Sequence, residues 1–209
     1  MTHTEIAFEF SEAYYQLKEI YDEISDDILA KEYSINFKSY KFNNHIGDIT
    51  KNINWTWAIN KDSWDIFENF ISPLKSEINS FFQKEFYLRG CSFITLFEKE
   101  VKDTEFHYDI TSHYDREGIT NTLTLIFPLY IEEDMGNLEY KEKGEIMMYK
   151  YCLGKAFVWD ACKLDHRTQP YSLDEKKKRV LISMNFSSNE EWAEKSVKKS
   201  LDWQGNITF

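Results

Sequence analysis

The sequence predicts a mainly β fold with helices at either end. Three observations carry this. After Tyr87 the chain breaks into short segments rich in β-branched and aromatic residues, about eight in roughly 100 residues, the spacing of an all-β barrel or sandwich, not of alternating βα units. Before Tyr87 the apolar residues recur with helical periodicity. At the C-terminus a capping pattern opens one more helical segment. The 209 residues, 42% apolar and 17% aromatic, are enough to bury a core without disulfides or structural metal.

In chain order, residues 5–31 are expected to form a helix, since Phe10, Tyr14, Leu17, Ile20 or Tyr21, Ile24 and Ile28 recur three and four apart. Ser11 caps its start or breaks it. The alternation in 34–42 and the composition of 52–60 suggest strands. Asp62 and Ser63 offer caps for a helix over 64–71, and Pro73 suits the first turn of a further helix through Phe82. The β segments are 91–98, 104–110, 122–131, 137–140, 145–151, 155–160, a short 164–167, and 179–186, separated by turn-like clusters such as DREG, EDMGN and KEKG. A last helix spans about 189–201, with Ser188 and Glu191 as a capping box and Trp192 and Leu201 packing back on the sheet. The expected organisation is a single domain: a helical support region over 1–86 holding one or two strands, a β core over 87–187, and a helix and tail over 188–209.

Charge and punctuation exclude several functions. With 25 basic against 36 acidic side chains, the net charge of −11 argues against nucleic acid and against docking on an anionic membrane. No apolar run approaches the ~20 residues of a membrane span. MTHTEIAFEF lacks the basic and apolar stretches of a secretory signal, and Cys91, Cys152 and Cys162 form no CxxC pair. A reducing, cytoplasmic setting is expected, with the thiols as buried or half-buried fillers. There is no GxSxG, GxGxxG, P-loop or HExxH motif.

What remains concentrates on histidine. In FHYDI (106–110) strand alternation sets His107 and Asp109 on one face and Phe106, Tyr108 and Ile110 on the other. His166 lies on a later short strand. Two imidazoles and a carboxylate can hold one face of an octahedral Fe(II) and leave three positions open. Arg179 opens RVLISMNF, where Val180, Ile182, Met184 and Phe186 form an apolar face and Arg179, Leu181, Ser183 and Asn185 a polar one, implying a polar pocket inside the barrel. An inward Arg can grip a dicarboxylate with two parallel hydrogen bonds, with Ser183 as a helper. A second pair, His113 and Asp115, has the same parity; it sits against Arg116-Glu117-Gly118, a turn signal, and reads as a loop that lines the pocket mouth and touches substrate, or as the ligand pair itself. Trp159 is the tryptophan expected nearest the pocket, while Trp55 and Trp57 cover the barrel mouth or fill the gap under the first helix. Arg167, of opposite parity to His166, is expected in a salt bridge. Taken alone, His107 or His166 would more often be a hydrogen-bonded core residue than a ligand; the combination of pair, later histidine and following arginine favours the ligand reading.

The order His107-x-Asp109, an apolar strand, Gly136-x-Leu138-x-Tyr140, Leu153-Gly154-Lys155-Ala156-x-Val158, His166 and then Arg179 resembles the 2-oxoglutarate/Fe(II)-dependent oxygenases, prolyl-hydroxylase-like members included, over roughly residues 87–187. The resemblance implies a double-stranded β-helix (jelly-roll) core, with His107, Asp109 and His166 holding Fe(II), Arg179 and Ser183 binding 2-oxoglutarate, and O2 as the second co-substrate. It implies a dioxygenase, a hydroxylase of a C–H bond in a small molecule, an amino acid or a peptide side chain, releasing succinate and CO2; the carboxylate Asp109 argues against a halogenase. Two departures stand out: the spacing from His166 to Arg179 is long, implying an insertion in the hairpin 168–178, and Met135-Gly136-Asn137 replaces a doubled glycine. The alternative from the binding class is a cupin-like barrel that holds a metal or small acid without turnover.

Overall fold

A computed structural model describes residues 2–30, 37–41, 53–102, 104–111 and 119–203. The elements run β1 (His3–Ala7), α1 (Glu12–Ala30), β2 (Phe37–Lys41), β3 (Ile53–Ala58), α2 (Lys61–Phe82), β4 (Tyr87–Val101), β5 (Thr122–Tyr130), β6 (Leu138–Glu142), β7 (Glu145–Tyr149), β8 (Lys155–Asp160), β9 (His166–Thr168), β10 (Tyr171–Ser187) and α3 (Glu191–Trp203). Seven strands form one antiparallel sheet in the order β1-β8-β5-β10-β4-β3-β2, and three form a second in the order β7-β6-β9.

Alternation along β10 decides where the core and the cleft lie. Val180, Ile182, Met184 and Phe186 join Phe93, Phe127 and Val158 in the core that α1 and α2 cover with Tyr14, Leu17, Phe67, Phe70 and Ile71. Burying each such large side chain contributes roughly 1.5–3 kcal/mol. Leu181, on the other face of β10, packs with Ile126, Leu138, Tyr140, Tyr149, Phe157, Trp159 and Leu164 between the two sheets. Beside that cluster an open cleft of about 720 Å³ receives Arg179, Ser183 and Asn185.

Several expectations change. The helix expected over 5–31 starts only at Glu12; residues 3–7 pair with β8, from His3 opposite Trp159 to Ala7 opposite Lys155. Ser11 is the cap, its Oγ accepting the Tyr14 N–H at 3.3 Å, and Phe10 lies outside the helix and exposed. The two helices expected on either side of Pro73 are one, α2, capped by Asn60 with Ser63 returning the bond. Pro73 forfeits one backbone bond, but the stripe Phe67, Phe70, Ile71, Leu74, Ile78 and Phe82 runs past it, and its burial outweighs the loss. The strand expected over 104–110 shrinks to one antiparallel bridge between His107 and His166. The extra length in 168–178 makes no separate hairpin: it is taken up inside β10, where the register against β4 jumps from Ser172 opposite Glu100 to Lys177 opposite Glu98. Cys91 and Cys162 are buried, but Cys152 is exposed. On α3 the face that packs is Ala193, Val197 and Leu201, while Trp192 is half-buried. Among the described residues no helix is long and apolar enough to cross a membrane.

Candidate metal centre

His107 and His166 face each other across their bridge, each N–H donating to the other's carbonyl at 2.9 and 3.0 Å. Each ring is then fixed by the same local device. Nδ1 of His107 lies 3.2 Å from the Glu105 carbonyl, and Nδ1 of His166 lies 3.0 Å from the Leu164 carbonyl. A carbonyl only accepts, so Nδ1 carries the proton in both rings and Nε2 keeps its lone pair. Both Nε2 atoms turn to Asp109, whose Oδ1 is 3.4 Å from His166 and 4.0 Å from His107. The three donors lie within 4.8 Å of one another.

Asp109 stands on a bend, not in a strand, and other elements hold it. Ser200 on α3 donates to its backbone carbonyl at 2.8 Å, and the next N–H, of Ile110, bonds the Ala161 carbonyl at 3.1 Å. The helix comes this close because position 90 is a glycine; a Cβ there would sit 2.7 Å from Leu201 Cδ1. The second carboxylate oxygen, Oδ2, accepts the Trp159 indole N–H at 3.0 Å.

Burial alone would push the Asp109 carboxyl upward, but the His166 and His107 imidazoles and the Thr124 hydroxyl outweigh it and hold the group down to about 2. Burial pulls His166 down, and Asp109, with the Leu164 carbonyl and Asp165, more than reverses this, leaving its pKa raised. His107 ends lowered, by burial and by the neighbouring His166. The site therefore pairs a fixed anion with two imidazoles of unlike basicity.

Arg179 projects into the same cleft and is buried. Its guanidinium donates to the carbonyls of Met135, at 3.3 Å, and Gly136, and lies 5.1 Å from the Tyr151 ring centre. Among the described residues no carboxylate pairs with it, and its Nε has no partner. Burial lowers its pKa. Gly136 is needed for this contact: its φ is +61°, and a Cβ would meet Thr168 Cγ2 and Tyr171 Cδ1 at 3.0 Å.

The structure thus brings His107, Asp109 and His166 to one point and sets Arg179 and Ser183 along the same cleft. His113 and Asp115 lie outside the described residues. Trp159 lines the cleft, yet it is almost wholly buried and its N–H is committed to Asp109, so it stands behind the His107, Asp109 and His166 cluster and not at the mouth. Arg167 pairs with Glu139, its register partner on β6, at 2.7 Å. Sequence reasoning missed Thr124, Tyr151 and Ser200; only the alternation along β5 gave a signal for the first, and the other two reach the site through tertiary packing.

No protein-family model and no curated protein matches the sequence. Solved structures do match. A prolyl hydroxylase from Trichoplax adhaerens, in complex with a hypoxia inducible factor oxygen degradation domain peptide fragment, is similar with a TM-score of 0.61 at 13% identity, over 94% of this chain and 86% of that one. An oxidoreductase of the 2OG-Fe(II) oxygenase family from Burkholderia pseudomallei gives 0.52 at 13% identity, over 88% and 96%. The viral collagen prolyl hydroxylase of Paramecium bursaria Chlorella virus-1, as its 2OG complex, gives 0.52 at 13% identity, over 90% and 97%. The chain therefore has the jelly-roll fold of the 2-oxoglutarate/Fe(II) oxygenases.

Proposed function

We propose that this protein is an Fe(II)- and 2-oxoglutarate-dependent dioxygenase that hydroxylates an unactivated C–H bond of a small molecule, an amino acid or a peptide side chain. One observation carries the reading: two imidazole Nε2 atoms and a carboxylate converge in a cleft that also holds a buried guanidinium with no anionic partner among the described residues. The donor set fits the metal. It is all nitrogen and oxygen, without thiolate, and leaves room for exogenous ligands, as a facial two-His, one-carboxylate Fe(II) site requires. The guanidinium fits the co-substrate, because an unpaired buried cation costs several kcal/mol that a bound carboxylate recovers.

Bound Fe(II), with 2-oxoglutarate and O2, supplies an oxidation in which one oxygen atom leaves in succinate, formed with CO2, and the other enters the substrate C–H bond. The chain's own residues do the rest. His107 and His166 offer Nε2 to the metal because their Nδ1 protons are tied to backbone carbonyls. Asp109 brings the negative charge. Arg179 grips the distal carboxylate of 2-oxoglutarate, with Ser183 beside it on the same face of β10. Leu181, Ile126 and Leu138 line part of the cleft with hydrocarbon. The net charge of −11 favours a neutral or basic substrate.

The test is succinate formation from 2-oxoglutarate in air with added Fe(II), across a panel of small molecules and peptides. Fe(II)-dependent succinate that disappears in His166→Ala supports the reading. Binding of metal and 2-oxoglutarate without succinate would mark a non-catalytic cupin-like barrel instead.

A further inference from the structure

We propose that Trp159 is a positioning residue that restricts Asp109 to a single metal-binding oxygen. The inference rests on the metal-site reading above and goes beyond it. Oδ1 faces both imidazoles, at 3.4 and 4.0 Å, while Oδ2 is taken by the Trp159 N–H at 3.0 Å. The indole is held rigidly. Trp159 is 1% exposed, and its strand is paired on both sides, to His3 of β1 and Thr124 of β5. Its ring also meets His166 edge-on, with centroids 5.0 Å apart at 63°. One side chain therefore braces two of the three ligands.

Denticity matters to the chemistry. A carboxylate that binds through both oxygens takes two positions of an octahedral ion. With two imidazoles, only two positions would then remain, too few for a chelating 2-oxo acid and O2 together. An indole N–H only donates, so Trp159 cannot become an acceptor or a ligand. It holds Oδ2 away from the metal and keeps the third position available. Such supporting hydrogen bonds typically govern 10–100-fold in metal affinity.

The test is a double-mutant cycle read by calorimetry with Ni(II) alone, a redox-inert octahedral ion that binds nitrogen and oxygen sites more tightly than Fe(II). Trp159→Phe keeps a packed ring and removes the donor. It is expected to weaken Ni(II) binding by about 10-fold or more in the wild-type background, and by less than about 2-fold in an Asp109→Ala background. Equal losses in both backgrounds overturn the inference alone, since they report general packing. Failure of the wild type to bind Ni(II), or an Asp109→Ala change without effect, overturns the metal site and the inference with it. A second measurement needs no variant. The infrared difference spectrum of Ni(II)-loaded minus apo wild type should show the wide splitting of carboxylate stretches that one-oxygen binding gives; the narrow splitting of a chelating carboxylate overturns the proposal.

Discussion

At the scale of single residues, the site is a balance between burial and pairing. His166 owes its raised pKa chiefly to Asp109, which with the Leu164 carbonyl and Asp165 outweighs burial. In the apo protein its titration, followed by NMR, should lie above 6.5, and in Asp109→Ala it should move down, with only the Leu164 carbonyl and Asp165 left to oppose burial. The His166–Asp109 pairing contributes in full below pH 6.5 and is lost as pH rises through the raised pKa; the part carried by Asp109 is present above its ordinary 3.8 and lost as pH falls toward 2. Metal binding runs the other way for His166, since a proton on Nε2 competes with the ion. Metal affinity should therefore fall on acidification through His166, while Asp109 stays ionised.

Gly136 offers a second test at this scale. Its positive φ and the 3.0 Å contacts awaiting a Cβ mean that Gly136→Ala should cost roughly 1–2 kcal/mol in a denaturant melt. It should also weaken 2-oxoglutarate binding, because the Gly136 carbonyl holds Arg179.

At the scale of elements, β10 was the most legible part of the chain. Its apolar and polar faces alternate from Arg179 to Phe186 except at Leu181, and two-residue periodicity transfers directly to opposite faces of a sheet. The segment holding His107 and Asp109 was legible as a candidate ligand pair but not as a conformation. Its backbone is held by His166, Ala161 and Ser200, all distant in sequence, so no local pattern reports that it is a bridge and a bend. β1 was misread for a related reason: five residues pairing with β8 leave little periodic signal beside the longer pattern of α1. In α2 the sequence marked Pro73 as a boundary, and packing overrode it. Pro73 is exposed inside that helix, so Pro73→Ala should restore a backbone bond and raise stability by roughly 1–2 kcal/mol in urea. Unchanged or lower stability would mean that the proline's restriction of the unfolded chain matters more.

At the scale of the whole molecule, the jelly-roll core, with α1 and α2 over one face of the larger sheet, forms its cleft on the other face, beside the smaller sheet and α3. The cleft is where the net-acidic chain keeps a buried cation. Replacing that cation separates its two roles. Arg179→Met should leave the apo protein as stable as wild type or up to about 4 kcal/mol more stable, because it removes the desolvation cost of a buried charge without an anionic partner, while the thermal stabilisation conferred by 2-oxoglutarate on the Ni(II)-loaded protein should vanish. The fold class and the candidate ligands could be read before any coordinates, since a two-residue period and a sparse set of five histidines are strong signals. The supporting hydrogen bonds from Trp159 and Ser200 could not, because they depend on the crossing of β8 and α3 behind a segment with no regular structure.

The central claim is that His107, Asp109 and His166 share one cation while Arg179 anchors the co-substrate. The most direct measurement is the anomalous-scattering map of a crystal soaked with Mn(II) and 2-oxoglutarate under nitrogen. The account expects one peak in bonding contact with Nε2 of both histidines and one oxygen of Asp109, with the distal carboxylate of 2-oxoglutarate on Arg179. A peak on His113 and Asp115, or no peak beside His166, would contradict it.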